Sequence, residues 1–156
     1  MTIFSMENPL FVAYAIAAAI MVLKIMGQGW MTVYRMMKSE SGLLNPEDLL
    51  PGPANRNPHP AQLDPSDYVE RSRRMHRNDL ENIPAFLVIG LLFVAVEPPF
   101  WLGSALMTIF VVARLAHTFV YATRQRHEVR ATPYTIGSVI VIFMAVYVLG
   151  AALFFR

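Results

Sequence analysis

Residues 133–155 read PYTIGSVIVIFMAVYVLGAALFF, an unbroken run without a charged side chain. The 22 residues from Tyr134 onward would rise about 33 Å as a helix, which is enough to cross the ~30 Å hydrocarbon core of a bilayer. Three earlier apolar segments predict further spans at about 9–37, 68–96 and 100–123. We therefore predict an all-α fold, an integral membrane four-helix bundle that forms a single membrane domain over residues 1–156.

The composition indicates that much of the chain faces lipid. Hydrophobic residues make up 55% of it and charged residues 15%, whereas a soluble domain carries about 25% charged residues. A net charge of only +2 argues against a nucleic-acid partner. Because the chain has no cysteine, any thiol chemistry must use a thiol brought by a ligand. Residues 1–19 lack the basic start of a signal peptide, so we expect the first apolar segment to stay as an anchor.

Residues 39–67 show no helical period. They include six prolines and two glycines, which predicts a loop outside the lipid. With four spans, this loop and the basic turn 124–130 share one side of the membrane, and nearly all of the positive charge lies there. The positive-inside rule then predicts that both loops face the cytoplasm, and that both termini lie on the other side. The bacterial inner membrane and the endoplasmic reticulum both stay open as the location.

Polar residues recur every three or four positions at one end of the second, third and fourth spans, which places each set on one helix face. The sets are Arg74, Arg77, Asn78 and Glu81; Arg114, His117 and Tyr121; and Arg130, Tyr134 and Ser138. A charge at membrane depth costs about 2.5 to 3.5 kcal/mol on insertion scales, so it needs a reason. Two readings stay open: a buried ligand site between helices, or a structural network of salt bridges. Lys24 fits the second, because it can pair with Asp79 or Glu81.

Several arginines with one glutamate suit a small ligand that has more than one carboxylate and an ammonium group. A guanidinium group binds a carboxylate through two parallel hydrogen bonds, and glutathione has the required charges. The histidines, His59, His76, His117 and His127, lie in unrelated places without the spacing of a metal site, so no metal is predicted.

Three motifs are specific enough to indicate a family. Residues 69–82 read VERSRRMHRNDLEN, NPED precedes them at 45–48, and RLAHT follows at 114–118. Together they resemble the MAPEG family of membrane-associated eicosanoid and glutathione enzymes, in its branch of type 1 microsomal glutathione transferases and prostaglandin E synthases. The resemblance covers essentially the whole chain.

The resemblance implies a four-helix subunit in a homotrimer that binds glutathione between neighbouring subunits at the cytoplasmic end. Carried over position by position, the family's glutathione contacts fall on Arg35, Arg74, Arg77, Asn78, Glu81, His117, Tyr121, Arg130, Tyr134 and Thr135. Arg130 matches the catalytic arginine, which would hold the thiolate, and Tyr121 or Tyr134 would add a hydrogen bond. Asp48 matches an acidic residue near that arginine.

The residue after Arg130 bears on the choice of activity. Ala131 stands where prostaglandin E synthase has a serine, and an Arg-Ala pair is similar to the transferases. The resemblance thus implies a membrane-bound glutathione transferase that conjugates glutathione to hydrophobic electrophiles, or reduces lipid hydroperoxides, arriving from the membrane lipid. A prostaglandin E synthase-like isomerase and a noncatalytic lipid-binding protein stay open as alternatives.

Overall fold

The computed structural model describes residues 2–154, and this part of the chain contains helices and no strand. The long helices are α1 (Pro9–Ser39), α2 (Asp67–Ala95), α3 (Phe100–Ala122) and α4 (His127–Phe154). Each is long and apolar enough to cross a membrane. The predicted all-α fold with four membrane-spanning helices is therefore confirmed, and the chain is an integral multi-pass membrane protein.

The outer face of α4 shows how the chain meets its apolar surroundings. Val139, Ile142, Val146 and Leu149 recur every three or four residues, and each is 56–64% exposed. A row of exposed aliphatic side chains this long would be unfavourable in water, but lipid tails are as apolar as leucine. The exposed row therefore agrees with a helix in a bilayer.

Helix α4 begins at His127 rather than at the predicted Pro133, so Arg130 lies in the first turn of the helix instead of in the preceding turn. Glu128 favours this start, because a carboxylate stabilises the positive end of the helix dipole. Pro133 is buried inside the helix. The predicted end of this span at Phe155 lies outside the described residues.

The sequence of segment 39–67 predicted a loop without helix, but the structure contains two short helical turns there. Pro46–Leu49 and Pro60–Leu63 form two 3-10 turns that are too short to show a period in the sequence. Each starts at a proline, whose fixed φ and missing N–H suit a first helical position. Buried Gln62 ties the segment together by exchanging amide hydrogen bonds of 2.7 and 3.2 Å with Asn55.

The chain divides into two compact units, which we call the bundle unit (Met1–Ile25 with Asn78–Arg156) and the loop unit (Met26–Arg77). The core of the bundle unit is apolar. In it, Phe86 of α2 and Phe110 of α3 are fully buried and stack with 4.0 Å between ring centroids. The single membrane domain expected over the whole chain stays a prediction.

Helices α1 and α2 approach closely in the bundle unit because Gly90 has no side chain. The Tyr14 ring lies over it, and a Cβ at Gly90 would be 3.0 Å from Cε2 of that ring. The Tyr14 hydroxyl donates a hydrogen bond of 2.7 Å to the Leu87 carbonyl, which fixes the ring in place.

In the loop unit, polar contacts join the same two helices. The Gln28 amide and the Thr32 hydroxyl each donate to the hydroxyl of buried Ser72, both at 2.9 Å. The loop returns to α2 at Gly42, which has φ +75°, and a Cβ at this position would lie 3.1 Å from the Cβ of Val69. Only glycine suits this combination of left-handed backbone and close approach.

Three helices end beside a residue in the left-handed region that is not glycine. Glu40 follows α1 with φ 45°, Glu97 follows α2 with φ 49°, and Arg124 follows α3 with φ 59°. This conformation costs an L-residue about 1–2 kcal/mol relative to a right-handed one. All three side chains are exposed and charged, so each helix ends at a residue that prefers water.

Candidate active site

The bundle unit contains an open cavity of about 250 Å³ between the polar faces of α2, α3 and α4. Its lining consists of Asn78, His117, Tyr121, His127, Arg130, Ala131 and Tyr134. Five of the predicted glutathione contacts are in that set. At least one member of each polar stripe recognised from helical spacing therefore lines the same space.

The wall formed by α3 and α4 carries two pairs of residues one helical turn apart. The His117 ring centroid lies 5.3 Å from that of Tyr121 on α3 and 6.1 Å from that of Tyr134 on α4. Arg130 places its guanidinium carbon 4.7 Å from the centroid of the Tyr121 ring, within cation–π distance. His117 and Tyr121 are buried, so the α3 side of the cavity is shielded from water.

Arg130 has the properties of an anion-binding group. Its guanidinium is permanently charged, and the first turn of α4 adds the positive potential of a helix N-terminus. Among residues 2–154, its buried Nε and the Nδ1 atom of His117 have no hydrogen-bond partner. A ligand with a negative group can therefore bind here without displacing a protein acceptor.

Helices α2 and α4 are joined by hydrogen bonds beside the cavity. The Tyr134 hydroxyl donates to Glu81 Oε2 at 3.1 Å, and one turn further on the Ser138 hydroxyl donates to Asn82 Oδ1 at 2.8 Å. Glu81 is exposed. Its carboxylate thus orients a cavity residue and stays accessible to a cationic group of a ligand.

The charges at mid-span pair with one another. Lys24 of α1 and Arg114 of α3 donate to the two different oxygens of Asp79 in α2, each at 2.5 Å. The predicted pairing of Lys24 with a carboxylate is confirmed, and the partner is Asp79. Glu81 lies two residues further along, about 200° around the helix, so it points away from this contact.

Three of the predicted contacts are arginines of the loop unit. Arg35 is buried, donates to the Tyr68 carbonyl at 3.1 Å and has its guanidinium carbon 4.7 Å from the Tyr68 ring centroid. Arg74 forms an ion pair with Asp67 at 2.8 Å, and Arg77 is exposed. Their assignment to glutathione stays a prediction.

Asp48 and Thr135 do not line the cavity of the bundle unit. Asp48 is exposed in the first 3-10 turn and borders a cavity of about 520 Å³ inside the loop unit. Thr135 is exposed on α4 and borders a separate apolar depression beside Ile109 and Ile136. Their roles also stay predictions.

Sequence reasoning missed two lining residues, His127 and Ala131. The view that the histidines lie in unrelated places is wrong for His117 and His127, because both line the same cavity. His127 precedes Arg130 by three residues on one helix face, which was concealed by placing the start of the helix at Pro133.

Comparison with known proteins gives consistent matches. The sequence model of the MAPEG family matches residues 6–150. Microsomal glutathione S-transferase 1 of Bos taurus is 36% identical over 150 residues, which cover 96% of this chain and 95% of the relative. The Homo sapiens protein of that name is 35% identical over the same shares of both chains. Prostaglandin E synthase of Homo sapiens is 29% identical over 147 residues, 94% of this chain and 93% of the relative. On the matched length and these identities, the chain belongs to the MAPEG family.

Proposed function

We propose that this protein is a membrane-bound glutathione transferase that adds the glutathione thiol to hydrophobic electrophiles, or uses it to reduce lipid hydroperoxides. The observation that carries the proposal is the position of Arg130, whose guanidinium lines a polar cavity and has an unpartnered Nε. The names of the two glutathione S-transferase relatives support a glutathione-dependent reaction.

The residues around the cavity fit the charges of glutathione, which has two carboxylates, one ammonium group and a thiol. Arg130 offers an unpartnered donor and His117 an unpartnered ring nitrogen, Glu81 offers an acceptor for the ammonium group, and Asn78 offers an amide. At about 250 Å³, the cavity is smaller than the roughly 300–1,000 Å³ that enclose a drug-sized ligand, so it would hold only part of the tripeptide.

The rest of glutathione would be bound by the other predicted contacts, Arg35, Arg74, Arg77 and Thr135. We propose that the chain acts as a homotrimer and that glutathione lies between neighbouring subunits. In this arrangement the site faces the cytoplasm, with both termini on the opposite side, in a bacterial inner membrane or the endoplasmic reticulum.

In the proposed mechanism, Arg130 stabilises the thiolate. A thiol with a pKa of about 8.5 is mostly protonated at neutral pH, and lowering the pKa by about two units requires roughly 2.7 kcal/mol. A guanidinium close to the sulfur at the N-terminus of α4 can supply that amount. The thiol proton passes to water, the sulfur forms a bond to the electrophilic carbon, and the leaving group departs with its electron pair.

Hydroperoxide reduction would start from the same thiolate. The sulfur attacks the terminal peroxide oxygen, the O–O bond breaks, and the lipid alcohol leaves with a proton from water. A second glutathione then attacks the oxidised sulfur, which releases water and gives the disulfide. Tyr121, whose ring lies against the Arg130 guanidinium, would donate to the sulfur, and Asp48 would act near Arg130.

The test is conjugation of glutathione to a chloronitrobenzene by the detergent-solubilised protein and two variants. We expect Arg130→Ala to lower kcat/KM about 100-fold, the equivalent of 2.7 kcal/mol, because the thiolate loses its cation. Arg126→Ala is the matched control, since Arg126 is exposed and outside the cavity lining. No conjugation by the wild type with several electrophiles, or equal rates in both variants, would refute the proposal.

A prostaglandin E synthase-like isomerase is the second candidate, favoured by the 29% identity to the human enzyme of that name. Ala131 counts against it, because the lining offers no serine beside Arg130. Turnover of prostaglandin H2 without consumption of glutathione would select this activity. A noncatalytic lipid-binding protein would show no heat of glutathione binding in a calorimetric titration.

A further inference from the structure

The Asp79 cluster, defined as Lys24, Asp79 and Arg114, joins three helices through one carboxylate. Each cation donates to a different Asp79 oxygen at 2.5 Å. The side chains are 7%, 1% and 0% exposed, in that order. Water therefore screens these charges little, and their net charge acts on the surroundings at more than its surface strength.

The cluster has a net charge of +1, because it contains two cations and one anion. Two cations share a single carboxylate, whereas a purely structural pair would be neutral after Asp79 had bound one of them. Burying a surplus charge costs several kcal/mol in an interior of low dielectric. Two nitrogens of Arg114, Nε and Nη1, are also buried without a hydrogen-bond partner among residues 2–154. Stability alone does not account for this arrangement.

The cluster adjoins the cavity. Arg114 donates from Nη2 to the carbonyl oxygen of Asn78 at 3.2 Å, and Asn78 lines the cavity. The Arg114 guanidinium carbon lies 6.0 Å from the ring centroid of Tyr134, another lining residue. His117 follows Arg114 by three residues on the same face of α3. The surplus charge is thus one helical turn from the lining.

We propose that the Asp79 cluster is a second source of positive potential for the anion bound in the cavity, and that Lys24 sets its strength. Lys24 offsets the charge of Asp79, which leaves the positive charge of Arg114 uncompensated beside the lining. Lys24 donates its hydrogen bond to Asp79 and acts through Asp79 and Arg114, so it is a positioning residue. This inference rests on the proposed function, in which the anion is the glutathione thiolate.

Other titratable or charged groups face the same space and would contribute to the potential there. They are the lining residues His117 and Tyr121 of α3 and His127, Arg130 and Tyr134 of α4, together with Glu81 of α2, which accepts a hydrogen bond from Tyr134. Lys24 is the member that can be changed without altering this lining, so its substitution isolates the contribution of the cluster.

The test measures the pH at which bound glutathione forms its thiolate, from the ultraviolet absorbance of the thiolate in detergent-solubilised protein. In Lys24→Met we expect the pKa of the bound thiol to rise by about one unit, a tenfold loss of thiolate. A unit charge about 10 Å away at an effective dielectric constant of about 20 produces a change of this size. Lys24→Arg keeps the charge and should keep the pKa.

Lys24→Gln is the second neutral variant, for use if Lys24→Met does not fold, because its amide can still donate to Asp79. A folded neutral variant with the wild-type thiol pKa would overturn the inference, even if its thermal midpoint fell, because that result indicates a structural role. If the wild type binds glutathione but its thiol keeps the solution pKa, or if no glutathione binds, the proposed function fails as well. If the wild type lowers the pKa of the bound thiol and the neutral Lys24 variants lower it equally, this inference is refuted and the proposed function stands.

Discussion

Replacing Asp79 by Asn should destabilise the protein more than any exposed charge substitution. The change is nearly isosteric, but it removes the anion that Lys24 and Arg114 share and leaves two buried cations without compensation. Breaking a buried ion pair by removing one partner costs about 3–5 kcal/mol. For a chain of this size that is a fall in Tm of roughly 6–20 °C.

Thermal unfolding in detergent, followed by circular dichroism, measures this effect. Asp67→Asn is the matched control: it makes the same chemical change on the same helix, but the Asp67 side chain is 69% exposed, and its ion pairs with Arg71 and Arg74 lie in water. We expect its Tm to equal that of the wild type, because exposed ion pairs contribute little. If the Asp79→Asn protein unfolds within about 2 °C of the wild type, the buried carboxylate does not stabilise Lys24 and Arg114, and this prediction is refuted.

Further substitutions test the packing, the helix ends and the site. Gly90→Ala should lower the free energy of unfolding by about 1–2 kcal/mol, because its Cβ would press on the fixed Tyr14 ring. Gly150→Ala is the control in the same denaturation assay: no described atom lies within 4 Å of the new Cβ, so the free energy of unfolding should rise slightly. Glu97→Gly should stabilise by about 0.5–1 kcal/mol, because glycine adopts the positive φ of that position freely; a loss of stability would contradict this. Tyr134→Phe, which removes the hydrogen bond to Glu81, should raise the KM for glutathione several-fold and leave Tm unchanged; an unaltered KM would exclude this tyrosine from binding.

The fold could be predicted because lipid leaves few options. An apolar run of about 20 residues can satisfy its backbone only as a helix, so four such runs give four helices. The boundaries were less certain. Pro133 resembles a first helical residue, but α4 begins six residues earlier, at His127. Glu128 in the first turn favours the earlier start, because its carboxylate stabilises the positive end of the helix dipole. The two 3-10 turns escaped notice because four residues are too few to establish a period.

The site was predictable along each helix and unpredictable between helices. Spacing of three and four places His117 above Tyr121 and Arg130 above Tyr134. It does not give the rotation of α4 about its axis, which decides that Arg130 stacks on Tyr121. For the same reason the sequence left two acceptors open for Lys24, and the orientation of α2 selects Asp79.

The shared carboxylate of the Asp79 cluster has a consequence for biogenesis. During synthesis the helices enter the membrane in chain order, and α1 arrives with Lys24 in its apolar part at a cost of about 2.5–3.5 kcal/mol on insertion scales. The counter-charge arrives with α2, and α3 then brings Arg114. Each of these three helices thus carries a buried charge whose partner lies on another helix, whereas residues 133–154 of α4 carry no charge. We therefore expect the first three helices to leave the insertion machinery as a group, and α4 to partition into lipid independently.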